Sequence, residues 1–334
     1  MSFRLPDAWI WDFWFAKDGA TYHMFYLRAP RSLGDPELRH HNAVIGHAAS
    51  RNLVDWQDVG PCFGPARDAG WDDGPSWTGS IIRRDGLWHM FYTSTAQAEE
   101  LKKQRIGLAT SRDLHHWDRH PANPVLDLEP VVYEEYDPAL WHDRAWRDPY
   151  VIPDPVGDGY RMFLTARVNS GPAAARGVIA QARSRDLVEW HMILPATTPG
   201  SFGQLEVPQF LRLGRRCYLL FSTAVEHVGP TLRAGMKPGA VHFGGTHYYM
   251  ADHPNGPWHL GGAPFLSAGT ETDLYSGKIV IDPQGAPVFL AFRDRDAGGR
   301  FYGEVSDPIP VRVHGDGRLW LDHTRAEAAP RRFA

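Results

Sequence analysis

Three carboxylates sit in settings unlike those of the other acidic residues in this chain. Asp12 lies in Trp9-Ile10-Trp11-Asp12-Phe13-Trp14, Asp148 in Trp146-Arg147-Asp148-Pro149-Tyr150, and Glu206 in Leu205-Glu206-Val207-Pro208-Gln209. Each leads into an apolar, strand-like run, which fixes the direction of a side chain as a surface loop does not. Arg147, beside Asp148, offers a guanidinium that pairs with carboxylates. Acids gathered in one place repel one another and are costly to desolvate, so a cluster persists where its charges are paired or used. Glycosidic bond cleavage uses such a set: one carboxylate attacks the anomeric carbon or activates water, a carboxylic acid protonates the leaving oxygen, and a third holds sugar hydroxyls. An ionised Asp12 is expected to favour the protonated form of Glu206, as a general acid requires.

A repeat supplies the means of bringing the three together. Tyr22-His23-Met24-Phe25-Tyr26 recurs as Trp88-His89-Met90-Phe91-Tyr92, Tyr160-Arg161-Met162-Phe163-Leu164, Cys217-Tyr218-Leu219-Leu220-Phe221 and, more loosely, Pro287-Val288-Phe289-Leu290-Ala291-Phe292. The first three copies are followed by a shared signature, Ser50-Arg51-Asn52-Leu53-Val54-Asp55-Trp56, Ser111 to Trp117 and Ser184 to Trp190. The fourth keeps only turn residues and Trp258, and the fifth ends near Trp320. Trp-to-Trp spacings of 61, 73, 68 and 62 residues match one four-stranded sheet with its loops. Runs are short, β-rich and broken by Gly, Pro, Asn and Asp; the best helical candidate is Ala96 to Gln104. The expectation is an all-β chain whose residues 1–334 form a single five-bladed β-propeller.

In a propeller the first strand of each blade lines the central channel. Asp12, Trp77, Asp148, Glu206 and Ser276 precede the second residue of their blocks by 11, 12, 13, 12 and 12 residues. Near-equal offsets imply equivalent positions and one shared pocket, offered Asp12, Trp77 to Ser80, Arg147 and Asp148, Glu206, and Tyr275 to Lys278.

Composition narrows the partners. The 334 residues are 43% hydrophobic and 22% charged, ample for a sizeable core, and a net charge of -4 without long basic runs argues against nucleic acid or an anionic membrane. Small neutral substrates remain open, and thirteen Trp and twelve Tyr fit either plain core or a sugar cleft with flat apolar platforms. No apolar run reaches the roughly 18 residues of a membrane span, and the first residues lack a secretory pattern, so the chain reads as cytoplasmic. Cys62 and Cys217 read as buried thiols.

The order of an Asp in a Trp-rich first strand, Trp77-Thr78-Gly79-Ser80, Arg147-Asp148-Pro149 and Glu206-Val207-Pro208 resembles glycoside hydrolase families 32 and 68, fructosyl-transferring five-bladed propellers. The Trp11-Asp12-Phe13-Trp14 segment is more similar to family 68, and no β-sandwich of the family 32 kind is expected after the fifth blade. The resemblance implies a retaining enzyme acting on small β-fructofuranosides such as sucrose, with no cofactor. Asp12 would be the nucleophile, Glu206 the acid and then base, and Asp148 the transition-state stabiliser. Arg147 would orient them, and Trp77 and Ser80 would help form the fructosyl subsite. Trp11, Trp14 and Trp146 flank the acids and are candidates for sugar contact, as is Tyr275. The alternatives are an inverting arabinan- or xylan-type hydrolase resembling family 43, a fructosyltransferase, and a non-catalytic sugar-binding propeller.

Other features read as structural. Asp113 and Asp186 recur within the signature and are expected to bond their own turn backbone. Trp56, Trp117, Trp190 and Trp258 read as core between blades. His40-His41 and His115-His116 lack metal-ligand spacing, so no metal is expected. Arg293-Asp294-Arg295-Asp296 follows the fifth inner strand and is placed to rim the funnel, but an alternating charge run reads first as a solvated turn. The Gly-rich interval 226–247 reads equally as a lid or specificity loop and as a mobile surface insertion, and Arg233, Lys237 or Arg293 would be needed at the rim to hold a substrate phosphate.

Overall fold

A computed structural model describes residues 2–262 and 265–325. Five antiparallel sheets follow one another along the chain, each built from consecutive strands with the first innermost. The first blade contains β1 (Ala8–Asp18), β2 (Thr21–Pro30), β3 (Val44–Ser50) and β4 (Gln57–Phe63), and the second β5 (Ser76–Arg84), β6 (Leu87–Ser94), β7 (Arg105–Ser111) and β8 (Asp118–Arg119). The third comprises β9 (Trp146–Pro153), β10 (Tyr160–Arg167), β11 (Gly177–Ser184) and β12 (His191–Ile193). The fourth comprises β13 (Glu206–Leu213), β14 (Arg216–Ala224), β15 (Gly244–Ala251) and β16 (His259–Leu260). The fifth holds β17 (Thr272–Ile281), β18 (Pro287–Asp296), β20 (Ile309–Val313) and β21 (Leu319–Leu321), with β19 (Phe301–Val305) added against β18. Strands β1, β5, β9, β13 and β17 contact one another in that order, and β17 returns to β1, so the blades close a ring. The seam is tied by Phe3 and Val305, which exchange backbone hydrogen bonds of 2.8 and 2.9 Å.

The repeated blocks are the second strands, whose aromatic residues fill the spaces between blades. Phe25, Phe91 and Phe163 are fully buried, and burying one Phe contributes about 2 kcal/mol. The signature is a turn in which the Ser hydroxyl accepts from the backbone two and three residues on, as Ser184 does from Asp186 and Leu187 at 3.2 and 2.8 Å. Asp113 and Asp186 cap the following backbone N–H groups, as expected of turn residues. The signature Trp then reaches into the core, Trp117 edge-on to Phe25 and Trp190 edge-on to Phe91. The predicted helix over Ala96 to Gln104 is only a 3-10 turn at Gln97–Glu99. A five-residue α-helix, Pro230–Ala234, lies in the 226–247 interval.

All five inner strands carry a β-bulge at the same height. The extra residue falls between Trp11 and Phe13, Trp77 and Gly79, Arg147 and Tyr150, Glu206 and Gln209, and Tyr275 and Lys278. A bulge bends its strand and re-aims a side chain. Asp148, Val207 and Ser276 accordingly have positive φ values of 58°, 52° and 50°.

Candidate active site

Aligning the strands at their bulges sorts the channel into tiers. The first holds Trp11, Trp77, Arg147, Glu206 and Tyr275; the second, at the bulges, Asp12, Thr78, Asp148, Val207 and Ser276; the third Trp14, Ser80, Tyr150, Gln209 and Lys278. All of the first tier and most of the second line a cavity of about 500 Å³, a volume suited to a small ligand.

Arg147 is the hub of this cavity. One terminal nitrogen donates to Gln104 Oε1 at 3.0 Å and Asp143 Oδ2 at 3.1 Å, and the other to Gln204 Oε1 at 3.0 Å and Glu206 Oε1 at 2.7 Å. Its Nε lies 3.6 Å from Asp148 Oδ2. That Asp148 oxygen also accepts from the Thr165 hydroxyl at 2.7 Å and the Val207 N–H at 3.0 Å, so its other oxygen is free of these ties. The left-handed turn at Val207 is what aims its N–H at Asp148. Glu206 is held at its second oxygen by the Tyr275 hydroxyl. Asp12 accepts from Thr78 Oγ1 at 3.1 Å and from the Ser276 hydroxyl, one partner from the second blade and one from the fifth. The bulges thus gather three acids and one guanidinium around one space.

The model of the glycosyl hydrolases family 32 N-terminal domain matches residues 13–295. The chain belongs to glycoside hydrolase family 32. Among curated relatives it is 26% identical over 323 residues to the sucrose-6-phosphate hydrolase of Escherichia coli, covering 93% of this chain and 58% of that protein. It is 27% identical over 200 residues to the insoluble isoenzyme CWINV5 beta-fructofuranosidase of Arabidopsis thaliana, covering 58% of this chain and 32% of the relative. This chain therefore spans less than two thirds of either relative. The inulosucrase from Halalkalicoccus jeotgali bound to kestose superimposes with a TM-score of 0.76 at 21% identity, covering 95% of this chain and 87% of that one. A thermostable family-43 glycoside hydrolase also superimposes, with a TM-score of 0.67 at 16% identity and coverages of 98% and 96%. These likenesses establish the five-bladed fold shared by the three families.

Within this family 32 chain, the predicted residues Asp12, Asp148, Glu206, Trp11, Trp77, Arg147 and Tyr275 all line the cavity. Three predicted contacts fall elsewhere. Trp14 and Ser80 belong to the third tier, because the bulge residue displaces them one step down the channel. Trp14 is buried, stacks on Phe25 and borders a separate cavity of about 260 Å³ at the other end of the channel. Ser80 accepts the Val151 N–H at 3.0 Å and so ties the second blade to the third. Trp146 is also excluded, buried against Tyr133 with ring centroids 4.9 Å apart. Glu206 occupies a first-tier position, so the equal offsets concealed a one-residue difference from Asp12 and Asp148.

None of the residues suggested for holding a phosphate lines this cavity. Arg233 donates to the Glu226 and Val228 carbonyls of its own loop, and Arg293 to Glu304 at 2.6 Å; Lys237 is exposed. From the 226–247 interval, Glu226 and Phe243 do reach the cavity. Thr165, Gln104, Asp143 and Arg39 were missed, being short polar or loop residues whose roles depend on neighbours from other blades, whereas Thr78 and Ser276 lie in stretches that the offsets assign to the pocket without a role of their own. No group of three or more His, Cys, Asp or Glu among the described residues is arranged to hold a metal ion. Cys62 and Cys217 are free thiols, and burial pushes Cys62 up to about 12.

Of the two acids Asp12 and Glu206, it is Asp12 that is shifted toward its protonated form, contrary to the sequence-based expectation. Burial, the Asp148 charge and, less strongly, the Glu206 charge raise Asp12 to about 7, the Ser276 and Thr78 hydrogen bonds opposing them. Glu206 is pushed up by burial, but the Arg147 charge and the hydrogen bonds from Tyr275 and Arg147 outweigh it and hold Glu206 below its ordinary range. Tyr275 remains a donor because burial and the Glu206 charge raise it well above 10.0. Below the acids, burial lowers Lys278 to about 7, the Asp148 and Asp12 charges opposing this; its ammonium donates to the Val207 carbonyl at 2.7 Å.

Proposed function

We propose that this protein is a retaining β-fructofuranosidase that cleaves small fructosides, such as sucrose or short fructo-oligosaccharides, by double displacement. The observation that carries the reading is the convergence of Asp12, Asp148 and Glu206 on one cavity around Arg147. Asp12, ionised, attacks the anomeric carbon of the fructosyl unit while Glu206 gives a proton to the departing oxygen; Glu206 then takes a proton from water, which releases fructose from Asp12. Asp148 turns its free oxygen toward fructosyl hydroxyls and opposes the positive charge that develops on the ring.

In the resting site Asp12 is the acid shifted toward its protonated form and Glu206 the one held toward its ionised form, whereas the reactive form needs the proton on Glu206. A leaving oxygen that accepts from Glu206 stabilises the second arrangement, so substrate binding and proton placement are coupled.

Proton NMR of the protein with sucrose, and separately with an aryl arabinofuranoside, tests the reading against the family-43 geometry that the fold also accommodates. The expected result is fructose released first as the β-anomer and lost in both Asp12→Asn and Glu206→Gln. Inverted arabinose would replace this reading with the inverting one, and fructosylated acceptors would mark a transferase.

A further inference from the structure

Lysine side chains are rarely buried, and a buried ammonium is kept where its charge is paired or used. Lys278 is 3% exposed, on β17, in the tier beneath the acids. Its hydrogen-bond partner is a neutral group, the Val207 carbonyl at 2.7 Å. Val207 is the bulge residue next to Glu206, and its N–H donates to Asp148 at 3.0 Å. This residue, in the left-handed region at a φ of 52°, is thus held at its N–H from the third blade and at its carbonyl from the fifth.

The same lysine stands next to the residue that touches Asp12. Ser276, two positions earlier on β17, donates to Asp12, and residues two apart on a strand face the same side. The proposed nucleophile accepts from two neutral hydroxyls, whereas Arg147 spends its terminal nitrogens on Glu206, Asp143 and two glutamines. The charges that act on Lys278 are those of Asp148 from β9 and Asp12 from β1. Its ammonium lies over the ring of Tyr150, 5.9 Å from the centroid. At its own level Gln209 of β13 and Ser80 of β5 carry no charge, and the exposed Lys17, which borders the lower cavity, is bonded to the Tyr22 hydroxyl at 3.1 Å.

We infer that Lys278 is a positioning residue of the reaction, the counter-charge beneath the site against which Asp12 ionises, held in place by the Val207 carbonyl. The inference rests on the fructosidase reading for what ionised Asp12 does, but the effect on Asp12 can be measured without turnover. Burial lowers Lys278 to about 7, the Asp148 and Asp12 charges opposing this, and Asp12 is itself raised to about 7. Attraction between two charges acts on both, so the ammonium favours the ionised carboxylate as the carboxylate favours the ammonium. Among the contacts of the channel floor, this one therefore joins two blades and also bears on the acids above it.

Two measurements on the full chain test it with three variants. Lys278→Met removes the charge and the donor, Lys278→Gln removes the charge and keeps an N–H donor for Val207 should the first fail to fold, and Lys278→Arg keeps the charge. Carbon-13 NMR of carboxyl-labelled aspartate follows the ionisation of Asp12, whose signal is the one missing from Asp12→Asn. Its midpoint is expected to rise by about one pH unit or more in Lys278→Met and Lys278→Gln and to stay in place in Lys278→Arg. On sucrose, kcat/KM is expected to fall about 10-fold for each pH unit of that rise, because the form with Asp12 ionised and Glu206 protonated becomes rarer by that factor. A midpoint unmoved in the two uncharged variants, a rise of the same size in Lys278→Arg, or an unchanged kcat/KM in an active protein overturns the inference and leaves Lys278 as a tie between blades. A midpoint that rises as expected in a protein that cleaves neither sucrose nor an aryl fructoside upholds the action of Lys278 on Asp12 and overturns the fructosidase reading.

Discussion

The two ends of the channel are lined by the same five strands yet serve different ends. At and above the bulges, Arg147, Glu206, Asp12 and Asp148 point into shared space, and their hydrogen bonds hold charge in place. Below them, Ser80 accepts from Val151, Gln209 both donates to and accepts from the Ile279 backbone, and Lys278 donates to the Val207 carbonyl. Each of these bonds joins one blade to its neighbour. One extra residue per strand separates a reactive rim from a stitched floor.

The largest test of that contrast is at Asp12. Asp12→Asn is expected to lower kcat on sucrose by about 10,000-fold or more, as loss of a nucleophile does. It should also stabilise the fold at high pH. Asp12 sits at about 7 in the folded chain against its ordinary 3.8, so the stability linked to its proton is present below 3.8 and lost as the pH rises through 7. Thermal unfolding should therefore show a gain in Tm for Asp12→Asn at pH 8 and none at pH 3.5; a loss at pH 8 would place the proton elsewhere.

Glu206→Gln comes next, with about a 1,000-fold loss on sucrose and a smaller loss on an aryl fructoside whose leaving group needs no proton. On that substrate the rate of the variant should rise with pH as Asp12 ionises, near 7 or below because the neighbouring charge has been removed. A falling limb would reassign the roles of the two acids. Arg147→Lys should lower kcat/KM by about 100-fold, because an ammonium cannot make the forked contacts of the guanidinium. The smallest effect on rate is expected at the floor. Ser80→Ala leaves the Val151 N–H unpaired and should cost about 1–3 kcal/mol in denaturant unfolding, with kcat/KM altered by no more than about twofold.

The sequence made the ring and its acids legible for a specific reason. Second-strand aromatic blocks and Ser-to-Trp turns repeat because every blade buries the same surface, so the repeat marked the blades and the offsets marked the inner strands. The bulges left no such mark: Asp12 and Thr78 form them with ordinary strand residues, and Val207, a β-branched residue, takes a left-handed conformation that its type disfavours. That is why Trp14 and Ser80 looked like ligand contacts and lie beneath the site. Asp294 was obscured differently, since an alternating run of charge reads as a solvated turn until β18 carries it to the cavity wall.

The seam between the first and fifth blades acquires a second meaning from the position of Asp12. The ring is fastened there by the reciprocal Phe3 and Val305 pair, and the Asp12 hydrogen bond to Ser276 crosses the same gap. Any breathing of the ring at this joint would widen the space between the proposed nucleophile and its partner while leaving every blade folded. The first few residues would then govern reactivity at a distance, and catalytic competence would be lost at a lower temperature than sheet structure.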